Sequence, residues 1–211
     1  MAMRQLLLIW SLFLVVLMPT AAASQQAAAS AQRTTSKSKS QTFEWTEAAK
    51  TRLLSRAQQG DASSQMWLGC GYEQGWFGPK NFPEALKWFR RSAEQGDPDA
   101  QFALGQMYEE GEGVTQNYAL AAEWYRKAAG HVPDFGGAGQ GRNNLGLLYL
   151  NGYGVPQDYV QAYMWFSLSA QSNPNLQYAA EHLTPENIRE AERLARDWKI
   201  RHGMPITREI R

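Results

Sequence analysis

Three histidines are the side chains in this 211-residue sequence best suited to proton transfer or metal binding, namely His131, His182 and His202. Imidazole changes its charge near neutral pH and is the commonest protein ligand of transition metals. A zinc site would place two such ligands at short helical spacing, or pair one with a cysteine or a patterned carboxylate. None of the three lies in such a pattern. We therefore predict packing or surface roles for them, with no metal site and no catalytic histidine.

Cys70 is the only cysteine of the chain. A single thiol has no internal disulfide partner, so the stability of the fold depends on packing even in an oxidising compartment. Two interpretations of this residue remain open at this point. It is either a reactive thiol on a binding surface or a buried and inert side chain, which is the commoner case.

The glycine-rich segment 136–141 has the composition of a phosphate-binding loop but not its pattern. It does not spell G-x-G-x-x-G, and no predicted strand precedes it, so the dinucleotide-binding interpretation fails. We expect instead a flexible insertion between two structural units. Its neighbours His131, Asp134 and Phe135 would then be available for contacts at the edge of a groove.

An acidic cluster, Glu109, Glu110 and Glu112, lies next to a glycine turn. Such clusters are mostly solvated surfaces. No facing pair of carboxylates for acid–base catalysis can be placed from the sequence. We therefore predict no catalytic residue, no cofactor and no enzymatic activity.

The elements that would position these side chains come from an internal repeat. A Leu-Gly pair occurs three times, with offsets of 36 and 41 residues, and a Trp-aromatic pair follows each copy 20 residues later. The Leu-Gly pairs are Leu68-Gly69, Leu104-Gly105 and Leu145-Gly146, and their partners are Trp88-Phe89, Trp124-Tyr125 and Trp165-Phe166. Constant internal spacing at a period near 36 is typical of a stacked repeat array. Such arrays usually present binding surfaces, which favours a binding function.

Each unit is expected to contain two helices separated by a glycine turn. Glycine accepts the left-handed backbone that ends the first helix, and Asn81, Asn117 or Asp158 can cap the second. The glycine of each Leu-Gly pair lies inside the first helix, where it costs about 1 kcal/mol relative to alanine. Its recurrence at one register predicts a close helix crossing. Trp88, Trp124 and Trp165 are predicted to lie in the core.

The chain divides into four predicted segments. Residues 1–23 combine Arg4, an apolar stretch from Leu6 to Met18 and a small-residue cleavage site, as a secretory signal peptide does; an uncleaved anchor is the alternative. Residues 24–42 hold no apolar side chain larger than alanine and are expected to be a disordered spacer. Residues 43–183 form the repeats, at about 62–96, 98–130 and 139–171, preceded by a capping helix from Glu44 to Gln59. Residues 184–211 form a closing helix and tail.

The net charge of the mature chain argues against two classes of partner, nucleic acid and anionic membranes. Removing the signal peptide removes one arginine and no acidic residue, so the formal charge falls from +1 to 0. A near-neutral chain has no electrostatic basis for binding nucleic acid or an anionic membrane. We expect a monomer, periplasmic or secreted, with no membrane insertion after cleavage near Ala23 and Ser24.

The repeated element A-x-x-L-G-x-x-Y-x-x-G-x-G-V-x-x-[DN]-x-x-x-A-x-x-W-[YF]-x-x-A-A resembles the Sel-1-like repeat, a relative of the tetratricopeptide repeat. It is nearly complete from Ala100 to Ala129 and from Asn143 to Ala170, and has gaps from Ser63 to Ala93. The resemblance implies an all-α fold, an α/α superhelical solenoid of about three repeats with capping helices at both ends. It also implies a non-enzymatic scaffold or adaptor of the bacterial envelope that binds a protein or peptide.

Two other functions remain as alternatives. Cysteine-rich members of the family have been linked to penicillin binding, which suggests an enzyme acting on cell-wall or β-lactam substrates. This chain lacks their cysteine pairs. An exported effector that binds host proteins would use the same groove.

The tetratricopeptide geometry, carried over by register, turns one stripe of each first helix toward a concave groove. This stripe consists of Met66, Cys70, Glu73, Phe102, Gln106, Glu109, Asn143, Leu147 and Leu150. Offsets of four and three residues keep its members on one helical face. For Met66, Phe102 and Leu147, packing against adjacent helices is the alternative. Outside the stripe, Trp76 lies in the irregular turn of the first repeat and is a candidate exposed aromatic anchor.

Overall fold

The computed structural model describes residues 47–132, 136–169 and 173–205. The expected signal peptide and spacer, together with Asp134 and Phe135, lie outside these residues. The described chain is helical and contains no strand. None of its helices has the length and apolar character needed to cross a membrane.

Nine helices follow one another within the described ranges. They are α1 (Glu47–Gln58), α2 (Ala62–Gln74), α3 (Phe82–Glu94), α4 (Pro98–Glu110), α5 (Tyr118–Ala129), α6 (Gly137–Asn151), α7 (Tyr159–Ser169), α8 (Pro174–Ala180) and α9 (Pro185–Arg201). Helices α2 and α3, α4 and α5, and α6 and α7 pack as antiparallel pairs, one pair for each repeat. The predicted all-α solenoid is therefore confirmed, with α1 before the repeats and α8 and α9 after them.

The predicted turn and capping residues have their expected roles. Helices α2, α4 and α6 end at Gly75, Gly111 and Gly152, whose φ angles are 76°, 76° and 72°. The partner helices begin where a side-chain oxygen accepts a hydrogen bond from an exposed main-chain N–H. The accepting residues are Asn81, Asn117 and Asp158.

The close helix crossing predicted from the repeated glycine is also present. A Cβ atom on Gly69, Gly105 or Gly146 would lie 2.4, 2.4 or 2.6 Å from an aromatic ring of the partner helix. These rings belong to Phe89, Tyr125 and Phe166, all completely buried. Each ring therefore occupies the space that a side chain at the glycine would need.

The three repeated tryptophans differ in burial. Trp88 and Trp165 are buried, with 5% and 6% of their surface exposed. Trp124 is only half-buried, and the Lys127 ammonium lies 3.8 Å from the centre of its ring. The predicted core position is therefore confirmed for Trp88 and Trp165 and only partly met by Trp124, which packs against the core cluster of α3 and α4 without being enclosed.

A buried polar side chain joins each repeat to the helix before it. Gln65 and Gln101 donate hydrogen bonds to the carbonyls of Ala57 and Ala93, at 2.9 and 3.1 Å. Arg142 occupies the same repeat position and donates from Nε to the carbonyl of Ala129 at 3.0 Å. These side chains satisfy carbonyls at helix C-termini, which have no partner within their own helix.

The glycine-rich segment is helical over residues 137–141, so the prediction of a flexible insertion is wrong there. Helix α6 begins at Gly137, where a Cβ atom would lie 2.3 Å from the carbonyl oxygen of Pro98. At Gly141 a Cβ atom would lie 3.0 Å from the Ala128 Cβ. The glycines thus allow the start of α6 to pack closely against α4 and α5.

The last two helices cover the end of the third repeat. Helix α9 packs on α7, with Trp198 edge-on to Trp165 at a centroid distance of 5.9 Å. Its outer side carries ion pairs such as Arg193 with Glu190. Helix α9 is the polar-faced closing helix expected of a repeat array.

Candidate binding groove

A pocket of about 640 Å³ opens between the first helices of the second and third repeats. Helices α4 and α6 form its sides, and the end of α7 and the start of α8 close one edge. The described residues that line it are Phe102, Gln106, Gly136, Gly139, Gln140, Asn143, Asn144, Ser169, Asn173, Pro174 and Asn175. None of them is ionisable. Six carry a carboxamide, and Ser169 adds a hydroxyl. We call this cavity the amide pocket.

Three residues of the predicted stripe meet in the amide pocket: Phe102, Gln106 and Asn143. Sequence reasoning missed the other polar residues that line it. Asn173 lies 30 residues after Asn143, the offset at which Gln95 is bonded to Gln65. Because Gln65 lies three residues before the leucine of its Leu-Gly pair and Asn143 lies two before its own, the repeat pattern alone does not identify Asn173.

The amides of the pocket are joined in a directional chain of hydrogen bonds. Asn173 donates to Asn143 at 2.8 Å, Asn143 donates to Asn144 at 3.3 Å, and Asn144 donates to the hydroxyl of Tyr125 at 3.1 Å. The Tyr125 hydroxyl donates in turn to the Glu109 carboxylate. The Tyr125 hydroxyl has a single hydrogen, which it donates to Glu109, so its oxygen accepts from Asn144 and the other amides must donate in the same direction.

The end of this chain is shielded from solvent. Burial raises the pKa of the Tyr125 hydroxyl, and the hydrogen bond that it donates to Glu109 raises it further. Tyr125 therefore remains a neutral donor. Glu109 is half-buried and uses one carboxylate oxygen for this hydrogen bond within the fold.

Other lining amides have no hydrogen bond of their own. Within the described chain, the side chains of Gln106, Gln140 and Asn175 have no hydrogen-bond partner; the bonds of Gln140 and Asn175 come from their main-chain N–H groups. Each of these carboxamides offers one acceptor and two donors. The amide pocket thus combines positioned amides with free ones.

The first-repeat part of the stripe is partly closed by packing. The Cys70 sulfur lies 3.5 Å from the Met66 sulfur, and both side chains are half-buried against the core between α2, α3 and α4. Burial and the nearby charges of Glu73 and Asp99 raise the pKa of the Cys70 thiol to about 11. This environment agrees with the inert interpretation of the thiol.

The negative charges of the acidic residues in the stripe and in the turn after α4 shift the pKa of a neighbouring carboxyl. Burial and the charges of Glu112, Glu109 and Glu73 raise the pKa of the Glu110 carboxyl. Glu73 is half-buried and accepts a hydrogen bond from Gln74. These carboxylates lie at the C-terminal ends of α2 and α4, where the helix dipole also disfavours negative charge.

Beyond Asn143, the third-repeat part of the stripe packs against α8. Leu150 is only 7% exposed, in a cluster with Ala179 of α8, and Leu147 packs against the same cluster. Both residues therefore hold α8 in place rather than forming an open surface.

At the other end of the array, Trp76 is 36% exposed and packs on the exposed Trp67 at a centroid distance of 6.2 Å.

The histidines have packing contacts. His131 is hydrogen-bonded to Gln101 at 3.1 Å, His182 stacks on Tyr159 and His202 stacks on Trp198. Within the part of the chain that the structure describes, no group of three His, Cys, Asp or Glu side chains is arranged to hold a metal ion.

The repeat units correspond to a known family. The family model of the Sel1 repeat matches residues 62–97, 98–130 and 140–174, three consecutive units that coincide with the helix pairs. The chain belongs to the Sel1 repeat family. Members of this family generally mediate protein–protein interactions.

Solved Sel1 repeat structures share the fold. A Sel1 repeat protein from Oxalobacter formigenes is 33% identical, with a TM-score of 0.56, over 65% of this chain and 55% of that one. A protective antigen of uropathogenic Escherichia coli strains with an SLR fold is 34% identical, with a TM-score of 0.52, over 72% of this chain and 32% of that one. The Sel1 repeat chain thus spans about half of the first relative and a third of the second. A comparison with curated proteins finds no match.

Proposed function

We propose that this Sel1 repeat protein is a non-enzymatic interaction module of the bacterial envelope that binds a segment of a partner protein in the groove containing the amide pocket. The free carboxamides of Gln106, Gln140 and Asn175 are the observation that carries this proposal. They are unused by the fold and line a cavity of a size that binds ligands. The family's general role in protein interaction supports a protein as the partner.

Export is the second part of the proposal. The expected signal peptide supports it, with cleavage near Ser24 placing the mature chain in the periplasm or outside the cell. The related E. coli protein is described as a protective antigen. Expression in a Gram-negative host followed by N-terminal sequencing tests this proposal. Recovery of the full-length chain in the membrane pellet would favour an anchor instead.

Site-specific crosslinking tests the binding surface. A photoreactive phenylalanine replaces Gln106 in the amide pocket, and a matched variant replaces Arg189 on the outer side of α9. We expect irradiation in envelope extract to attach a defined protein to the Gln106 variant and not to the Arg189 variant. Attachment only through Arg189 would move the binding surface to the closing helix. Attachment through neither position would contradict the interaction function.

A further inference from the structure

We propose that the amide pocket binds the main chain of an extended polypeptide segment, so that recognition depends on peptide groups more than on side-chain charges. This inference rests on the proposed function and specifies what the groove holds. It starts from the lining, in which each described polar side chain is a neutral amide or hydroxyl.

The chemistry of the lining selects a neutral ligand rich in paired hydrogen-bonding groups. A charged ligand would lose hydration there without gaining an opposite charge from the described lining. An extended peptide presents an N–H donor and a C=O acceptor in every residue. A carboxamide presents the same two kinds of group side by side, so one free side chain can pair with the N–H and C=O of one residue, which lie on the same edge of an extended chain.

The pocket also has its amides arranged before a ligand arrives. Asn143 and Asn144 are held by the hydrogen-bond chain that ends at Glu109, whereas Gln106, Gln140 and Asn175 are free. Positioned groups reduce the ordering cost of binding. The free amides supply the donors and acceptors that a peptide strand lacks after it leaves water.

Two glycines, a proline and one aromatic ring complete the lining of the pocket. Gly136 and Gly139 contribute no side chain to its wall, and Phe102 supplies an apolar contact against Tyr125. A neutral oligosaccharide presents hydroxyls that would also pair with amides. The polypeptide is favoured because Sel1 repeats mediate protein interactions, and the sugar becomes one outcome of the test.

A phage-displayed library of random dodecapeptides panned on the immobilised chain provides the probe. An enriched peptide is then synthesised unmodified and with a single N-methyl group at each position in turn. N-methylation removes one main-chain N–H donor without changing any charge. We expect it to weaken binding about tenfold or more at one or two central positions, because a polar group of the pocket then has no partner.

Variants of the chain locate the binding. Gln106→Leu and Gln140→Leu should each lower the affinity for the unmodified peptide about tenfold. Both should leave the melting temperature unchanged, since these side chains make no hydrogen bond within the fold. Gln58→Leu makes the same chemical change on the exposed surface of α1 and should have no effect. Calorimetry measures all of these affinities.

Three results would overturn the inference. In the first, panning enriches no peptide. In the second, the affinity for the enriched peptide changes neither on N-methylation nor in the two pocket variants. In the third, the chain binds a β-1,4-linked N-acetylglucosamine tetramer in place of peptides. If crosslinking from Gln106 still captures a protein after any of these results, the proposed function survives without this inference. If it captures none, both fail.

Discussion

The guanidinium of Arg142 lies 4.8 Å from the centre of the Trp198 ring while it donates hydrogen bonds to three main-chain carbonyls. The acceptors are Ala129 at the end of α5, His131 after it and Leu168 near the end of α7. Arg142 is completely buried. One side chain thus joins the second repeat, the third repeat and the closing helix.

The first prediction concerns this arginine. Arg142→Leu leaves three carbonyls without their donor and should lower the free energy of unfolding by about 3–5 kcal/mol, since each unsatisfied group costs roughly 1–3 kcal/mol. Arg142→Gln should cost about half as much, because Gln65 and Gln101 make the equivalent bond to the preceding helix. Urea denaturation measures both changes.

An exposed arginine provides the control for this series. Arg189 forms an ion pair with Glu186 at the surface of α9, so Arg189→Ala should cost less than about 1 kcal/mol. If Arg142→Leu were as mild as Arg189→Ala, the buried network would not stabilise the junction.

The second prediction concerns the helix crossing of the second repeat. Gly105→Ala should destabilise the protein by about 1–2 kcal/mol, because its methyl group would lie 2.4 Å from the Tyr125 ring. The overpacking cost exceeds the gain of about 1 kcal/mol that alanine brings to a helix. Denaturant midpoints of wild type and variant measure the difference.

A double-mutant cycle distinguishes this clash from a general intolerance of Gly105→Ala. In a Tyr125→Ala background the ring is absent, so Gly105→Ala should become neutral or stabilising by up to about 1 kcal/mol. Equal destabilisation in both backgrounds would mean that the ring does not require the glycine.

The third prediction separates two tryptophans that occupy the same repeat position. Trp165→Ala removes a buried ring and should cost about 3–5 kcal/mol. Trp124→Ala should cost only about 1–2 kcal/mol, since this ring is only partly buried and contacts Lys127. Thermal unfolding of the two variants under the same conditions makes the comparison. Equal losses would place Trp124 in the core after all.

The fourth prediction concerns the pH dependence of Cys70 labelling. Its pKa is raised from the ordinary value of 9.0 to about 11, so little thiolate is present at neutral pH. Alkylation by iodoacetamide should therefore be slow at pH 8 and should keep accelerating with pH through about 11, because the thiolate is the nucleophile.

A charge-removing variant tests the cause of that shift. Glu73→Gln removes a nearby negative charge that raises the pKa of Cys70, so labelling at pH 9 should become faster. Arg189→Ala, on α9, should leave the labelling rate unchanged. A labelling rate that levels off near pH 9 in the wild-type protein would contradict the raised pKa.

The sequence by itself determined the elements and their local geometry. A glycine at φ near 76° ends α2 and α4, and an Asn or Asp begins each following helix. These features depend on residues a few positions apart, so spacing alone reveals them. The crossing of Gly105 with Tyr125 was also predictable, because the same pairing recurs in every repeat.

The tertiary structure decided which residues form the site. Gln106, Asn143 and Asn173 lie on three different helices or their caps and meet only because α6 and α8 pack at particular positions against α4 and α7. Leu150 satisfies the same sequence rule as Glu109, yet α8 buries it. Whether a residue is buried or lines a pocket depends on helices that are distant in sequence. A periodic pattern contains no information about which helix packs against each end of the repeat array.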